Sequence, residues 1–140
     1  MGIPNIYGGE MKREITVGIT LAGVTAALLL ALPEPMAKGA VAILLSVIAA
    51  IYIGFSLASK GELPVIKQVA GAIGFILLAF LGLWFSWWFL VAGLALHGVW
   101  DYLHHGRRGK GVVPRWYVPF CAAYDIALAI LVAVFFALRR

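Results

Sequence analysis

The sequence carries very little charge. Only 12% of its 140 residues are Asp, Glu, Lys or Arg, whereas 64% are hydrophobic. Soluble domains usually carry about 25% charged residues, so a water-soluble fold of this length has too few polar side chains to cover its surface. The scarcity of charge excludes an ordinary soluble domain and predicts a protein whose surface is largely in contact with lipid.

Several functional signatures are also absent. The single cysteine, Cys121, excludes an intrachain disulfide. The sequence contains no phosphate-binding loop, no His-Glu-x-x-His zinc motif and no nucleophile elbow. The net charge of +5 comes from lysines and arginines in short segments next to apolar runs. In membrane proteins such residues set the orientation of the helices. We therefore expect no nucleic-acid partner.

The apolar runs predict an all-α, polytopic membrane bundle that forms a single domain, 1–140. An interfacial segment, 1–14, comes first, and we expect the following run to be a retained helix rather than a cleaved signal peptide. The predicted helices are 15–32, 40–58, 64–83, 86–105 and 117–138.

The long apolar stretch 65–105 decides between four and five helices. As one helix it would measure about 60 Å, twice the hydrocarbon core. A break is therefore predicted near 82–88, where Ser86 can cap a new helix. Small residues at packing intervals predict close helix contacts; they are Gly18 and Ala22, Gly71 and Gly74, and Gly93 and Gly98.

The distribution of lysine and arginine favours five helices. Five helices place eight bases on one side of the membrane (Lys12, Arg13, Lys60, Lys67, Arg107, Arg108, Lys110 and Arg115) and three on the other (Lys38, Arg139 and Arg140). Four helices give six and five, which is no bias. The positive-inside rule then predicts an integral protein of the cell (inner) membrane with its N-terminus and the 106–116 loop in the cytoplasm.

One polar stretch, 97–105, interrupts the apolar pattern. It holds all three histidines and one of the two aspartates. On a helix, His97, Asp101 and His104 fall within an arc of about 60°, with His105 at its edge. If the last two helices form a regular antiparallel hairpin, His97 lies level with Asp125 on the last helix.

The energetic cost of burying charge indicates that this stretch has a specific role. An aspartate in the middle of a membrane helix costs about 2.5–3.5 kcal/mol and almost always faces a partner or a cavity. Asp125 has only apolar neighbours in its own helix. It therefore needs a cation, a proton or a histidine, and His97 is the nearest candidate by depth.

Three functions remain open from these residues. The leading hypothesis is a metal site for zinc, iron or manganese, because imidazole and carboxylate groups suit these divalent ions. Its candidate ligands are His97, Asp101, His104, His105 and Asp125. A metal-bound water would make a membrane enzyme for a lipid-like or other apolar substrate, with Asp101 or His105 as the catalytic acid or base.

The second hypothesis is a small proton-coupled transporter, working as a homo-oligomer, in which His97, Asp101 and Asp125 relay protons. The third is a non-catalytic accessory subunit in which His97 and Asp125 lock two helices together. Hydroxyl residues such as Tyr52 can bond within their own helix and carry little information. The basic loop predicts contacts with lipid headgroups through Arg107, Arg108, Lys110 and Arg115.

Overall fold

The protein is an all-α membrane bundle. The computed structural model describes residues 6–60, 63–105 and 113–139. These residues contain five helices: α1 (Ile6–Leu30), α2 (Glu34–Ala58), α3 (Val65–Trp84), α4 (Trp88–Leu103) and α5 (Tyr117–Leu138). Four of them, α1, α2, α3 and α5, are long and apolar enough to cross a membrane, while α4 is a shorter apolar helix. The predicted fold class is therefore confirmed.

The first two helices begin earlier than the sequence indicates. α1 starts at Ile6 rather than 15, and the charged residues that follow its first turn, from Glu10 to Glu14, are good helix formers that extend the helix beyond the apolar run. Their charge limits where the hydrocarbon core begins, not where the helix begins. α2 starts at Glu34 rather than 40, with a proline in its first turn and a 2.7 Å ion pair from Glu34 to Lys38. A proline is tolerated there because the first turn has no intrahelical N–H bond to lose.

The predicted break between α3 and α4 lies at residues 85–87. The residue before α4 is Trp87, and no side chain caps the helix, so the expected cap by Ser86 is absent. The two helices meet closely because Gly82 has no Cβ. An added Cβ there would overlap the side chain of Leu90, so the turn depends on this glycine.

Helix α5 holds the bundle together. It packs against α1 on one side and α4 on the other, while α3 packs against both α2 and α4. The predicted small residues at Gly18, Gly71, Gly93 and Gly98 all lie at close contacts, whereas Gly74 faces open space. Close approach of backbones in lipid depends on such positions because lipid tails are as apolar as the helices themselves.

The α1–α5 contact supplies a stability prediction. A Cβ on Gly18 would overlap the carbonyl oxygen of Phe120, a backbone atom that can move only with its helix. Gly18→Ala should therefore lower the free energy of unfolding by about 1–3 kcal/mol, as overpacking does. Thermal unfolding in detergent measures this loss.

Gly23→Ala is the matched control in the same helix. A Cβ at Gly23 meets nothing within 4 Å, so the change should be neutral or stabilising by up to about 1 kcal/mol through helix propensity. Equal stability losses in both variants would contradict the close α1–α5 contact.

Candidate functional site

The site is formed where α4 and α5 approach most closely. Gly98 allows this approach, because a Cβ there would lie 2.9 Å from the side chain of Ile126 and 3.3 Å from the carbonyl oxygen of Ala122. The residues next to these, His97 and Asp125, face each other across the contact. The hairpin register predicted from the sequence places the same two residues level.

Three side chains meet at this point: His97 and Asp101 of α4, and Asp125 of α5. His97 Nδ1 donates a hydrogen bond of 2.6 Å to Asp125 Oδ2. Asp101 Oδ2 lies 3.5 Å from the same Nδ1 atom. One candidate ligand atom from each residue lies within 4.8 Å of the others. We call these three residues the His–Asp triad.

The triad is fully buried. His97, Asp101 and Asp125 each have 0% of their surface exposed. Four of their polar atoms make no hydrogen bond in the described protein: His97 Nε2, both carboxylate oxygens of Asp101, and Asp125 Oδ1. Leaving a buried polar group unpaired costs about 1–3 kcal/mol, and more when it is charged. The three side chains of the triad therefore do not satisfy one another's hydrogen-bonding atoms.

Aromatic and apolar residues surround the triad. The Phe75 ring of α3 lies edge-on to His97 at a centroid distance of 4.9 Å. Tyr52 of α2 lies 6.4 Å from the same ring. At the loop end of the bundle, Leu63 and Val113 are 1% exposed and pack with Tyr52. The surroundings of the triad are therefore largely aromatic and apolar.

Tyr52 is the site residue that sequence reasoning missed. Its side chain is 1% exposed, and its hydroxyl makes no hydrogen bond in the described protein. The hydroxyl faces the Asp101 carboxylate, the acidic group that acts on it most strongly. No spacing marks this residue, because it is one tyrosine in an apolar helix distant in sequence from α4 and α5. Only its unpaired, buried hydroxyl distinguishes it.

His104 is turned away from the triad. It follows the last residue of α4, and its Nδ1 donates to the carbonyl oxygen of Trp100 at 2.9 Å. Its Nε2 then accepts from the Gln68 amide of α3 at 3.3 Å. Both ring nitrogens are therefore engaged. Although His104 shares a helical face with His97, it lies about 10 Å further along the axis.

The other predicted residues lie outside the triad. His105 is partly buried and lines an apolar groove between α1 and α5. Arg115 lines a polar cleft beside the first turns of α1. Arg107, Arg108 and Lys110 lie outside the described residues. Cys121 is buried, and its Sγ donates to the Tyr117 hydroxyl at 3.5 Å.

Comparison with known proteins identifies a family whose function is unknown. A model described as "Family of unknown function (DUF6010)" matches residues 13–138. No curated protein and no solved structure matches the chain. Because the match extends from within α1 to the end of α5, this membrane protein with a buried His–Asp triad belongs to the DUF6010 family.

Proposed function

We propose that the His–Asp triad binds a divalent metal ion within the membrane, with His97, Asp101 and Asp125 as ligands. One observation carries the proposal. Two fully buried carboxylates share a single imidazole, and three of their four oxygens make no hydrogen bond in the described protein. Buried charges in proteins are paired or coordinate metals.

Charge balance supports a divalent ion. With both carboxylates ionised and the imidazole neutral, the triad carries two negative charges. An ion of charge +2 cancels them and also provides the carboxylate oxygens with a partner. His97, Asp101 and Asp125 would hold the ion, since one candidate ligand atom from each already lies within 4.8 Å of the others, and ligation through Nδ1 would replace the hydrogen bond from His97 to Asp125.

The ligand types limit the metals. Imidazole suits zinc and iron, while carboxylates suit manganese. Three protein ligands leave at least one coordination position open, as in catalytic rather than structural zinc sites. When bound, such an ion supplies an activated water or a Lewis acid. Phe75 and Tyr52 line the surroundings, which favours a lipid-like or apolar substrate.

A proton path is the runner-up. It is favoured by the 2.6 Å hydrogen bond between His97 and Asp125, which shows that the pair already has a favourable geometry for sharing a proton. Buried chains of Asp and His mark proton relays in transporters. A proton on the triad supplies part of the missing charge without any metal, so metal content separates the two functions.

Metal analysis of the detergent-purified protein, made without a histidine tag, tests the proposal. Near-stoichiometric zinc, iron or manganese is expected in the wild type and none in a His97→Ala/Asp125→Ala variant. His105→Ala is the matched control: it removes a histidine outside the triad and should keep the metal. Circular dichroism and size-exclusion profiles establish that each variant is folded.

Three outcomes would contradict the metal site. The first is no metal in the wild type after growth with each candidate ion. The second is a wild-type metal that persists in the folded His97→Ala/Asp125→Ala variant, and the third is a metal that disappears in His105→Ala. The first outcome would favour the proton path or the helix-locking pair.

A further inference from the structure

A polar cleft and an apolar groove adjoin on the α1–α5 side of the bundle. The cleft, of about 580 Å³, is lined by charged residues of the first turns of α1 and by Arg115 and Trp116 at the start of α5. The groove, of about 550 Å³, is lined almost entirely by apolar side chains of α1 and α5, with Tyr102 and His105 at the end of α4. Met11 and Pro119 line both, so the two form one continuous depression.

The groove has the length of one lipid leaflet. Its lining on α5 extends from Val118 to Ile130, which is about 18 Å at 1.5 Å per residue. Half of a hydrocarbon core of about 30 Å is about 15 Å. Ile15 and Ile19 of α1 form the opposite wall. An acyl chain that starts at the cleft would thus follow the groove to the middle of the bilayer.

The cleft carries both signs of charge. Glu10 and Glu14 supply two carboxylates, and Arg13 and Arg115 supply two guanidinium groups. Arg13 Nη2 donates to Glu14 Oε1 at 3.0 Å. Guanidinium groups match phosphate oxygens, and carboxylates accept strong bonds from ammonium groups. Trp116, which is 52% exposed, is a residue type that concentrates at the membrane interface.

We propose that this depression binds one phospholipid whose headgroup carries a primary ammonium beside its phosphate. The phosphate lies near Arg13 and Arg115, the ammonium near Glu10 and Glu14, and one acyl chain occupies the groove. The balanced charges of the cleft disfavour a purely anionic headgroup. A trimethylated ammonium has no N–H to donate to the carboxylates, so it loses those bonds.

Native mass spectrometry of the detergent-purified protein tests the headgroup. Phosphatidylethanolamine, phosphatidylcholine and phosphatidylglycerol with identical acyl chains are added one at a time. Phosphatidylethanolamine should bind on the order of fivefold more tightly than the other two, as charge-assisted hydrogen bonds at a partly exposed site allow. Glu10→Gln/Glu14→Gln should remove this preference. Glu34→Gln, at the start of α2, is the control and should keep it.

A second pair of variants tests the groove. Ile15→Trp places a large ring in the groove and should reduce binding of all three lipids at least about fivefold, which corresponds to roughly 1 kcal/mol. Ile66→Trp is the control on α3, where the native side chain is 76% exposed, and should leave binding unchanged. Equal affinity for the three lipids would overturn the proposal. So would undiminished binding by Ile15→Trp.

Discussion

His97→Leu is expected to lower the free energy of unfolding by about 3–5 kcal/mol, because it leaves buried charge without its partner. In the wild type, His97 Nδ1 donates a hydrogen bond to Asp125 Oδ2. Both carboxylates remain at 0% exposure, and leucine gives them no donor. Thermal or denaturant unfolding in detergent measures the loss.

The triple replacement His97→Leu/Asp101→Val/Asp125→Val should recover most of that stability. Replacing a whole buried ionic group with apolar residues of similar volume is often neutral or stabilising by about 1–4 kcal/mol. Leucine and valine preserve most of the packing volume and leave no polar atom unpaired. A triple variant more stable than the wild type would show that the triad lowers the stability of the protein.

The comparison separates the proposed site from the helix-locking pair. If the triad served only to join α4 and α5, the triple variant would unfold well below the wild-type temperature, because the bond that joins the two helices is lost. That result would favour the accessory-subunit hypothesis. A triple variant that unfolds at or above the wild-type temperature contradicts a purely structural role.

Asp101→Asn should weaken metal binding at least about a hundredfold. Loss of a group that only orients a ligand costs about 10–100-fold in affinity, and Asp101 is proposed as a ligand itself. Asparagine has nearly the same shape, so the change removes mainly the negative charge. Titration of metal-free protein with zinc or manganese measures the affinity.

In the metal-free protein, by contrast, Asp101→Asn should not lower the free energy of unfolding. In the described protein neither oxygen of Asp101 makes a hydrogen bond, and Oδ2 lies 3.5 Å from His97 Nδ1. Removing its charge would then relieve a buried carboxylate, so the metal-free variant should be no less stable than the wild type. Gln68→Ala is the control for affinity, because Gln68 contacts His104 rather than the triad. Unchanged metal affinity in Asp101→Asn would remove Asp101 from the ligand set.

The sequence by itself determined that lipid surrounds the protein and that His97 lies level with Asp125. Its low charge and long apolar runs required lipid, and the length of 65–105 required a break, which lies at residues 85–87. His97 and Asp125 could be paired because α4 and α5 are consecutive in the chain. In an antiparallel hairpin, distance from the loop fixes depth at about 1.5 Å per residue.

Tertiary structure decided which residues complete the site. Helical periodicity placed His104 on the same face as His97, but a shared face does not remove a separation of about 10 Å along the axis. Gln68 of α3 then engages His104, and Tyr52 of α2 closes the site. Helical periodicity in the sequence does not predict such contacts between distant helices. Lipid solvates every apolar face equally, so close packing decides which helices become neighbours.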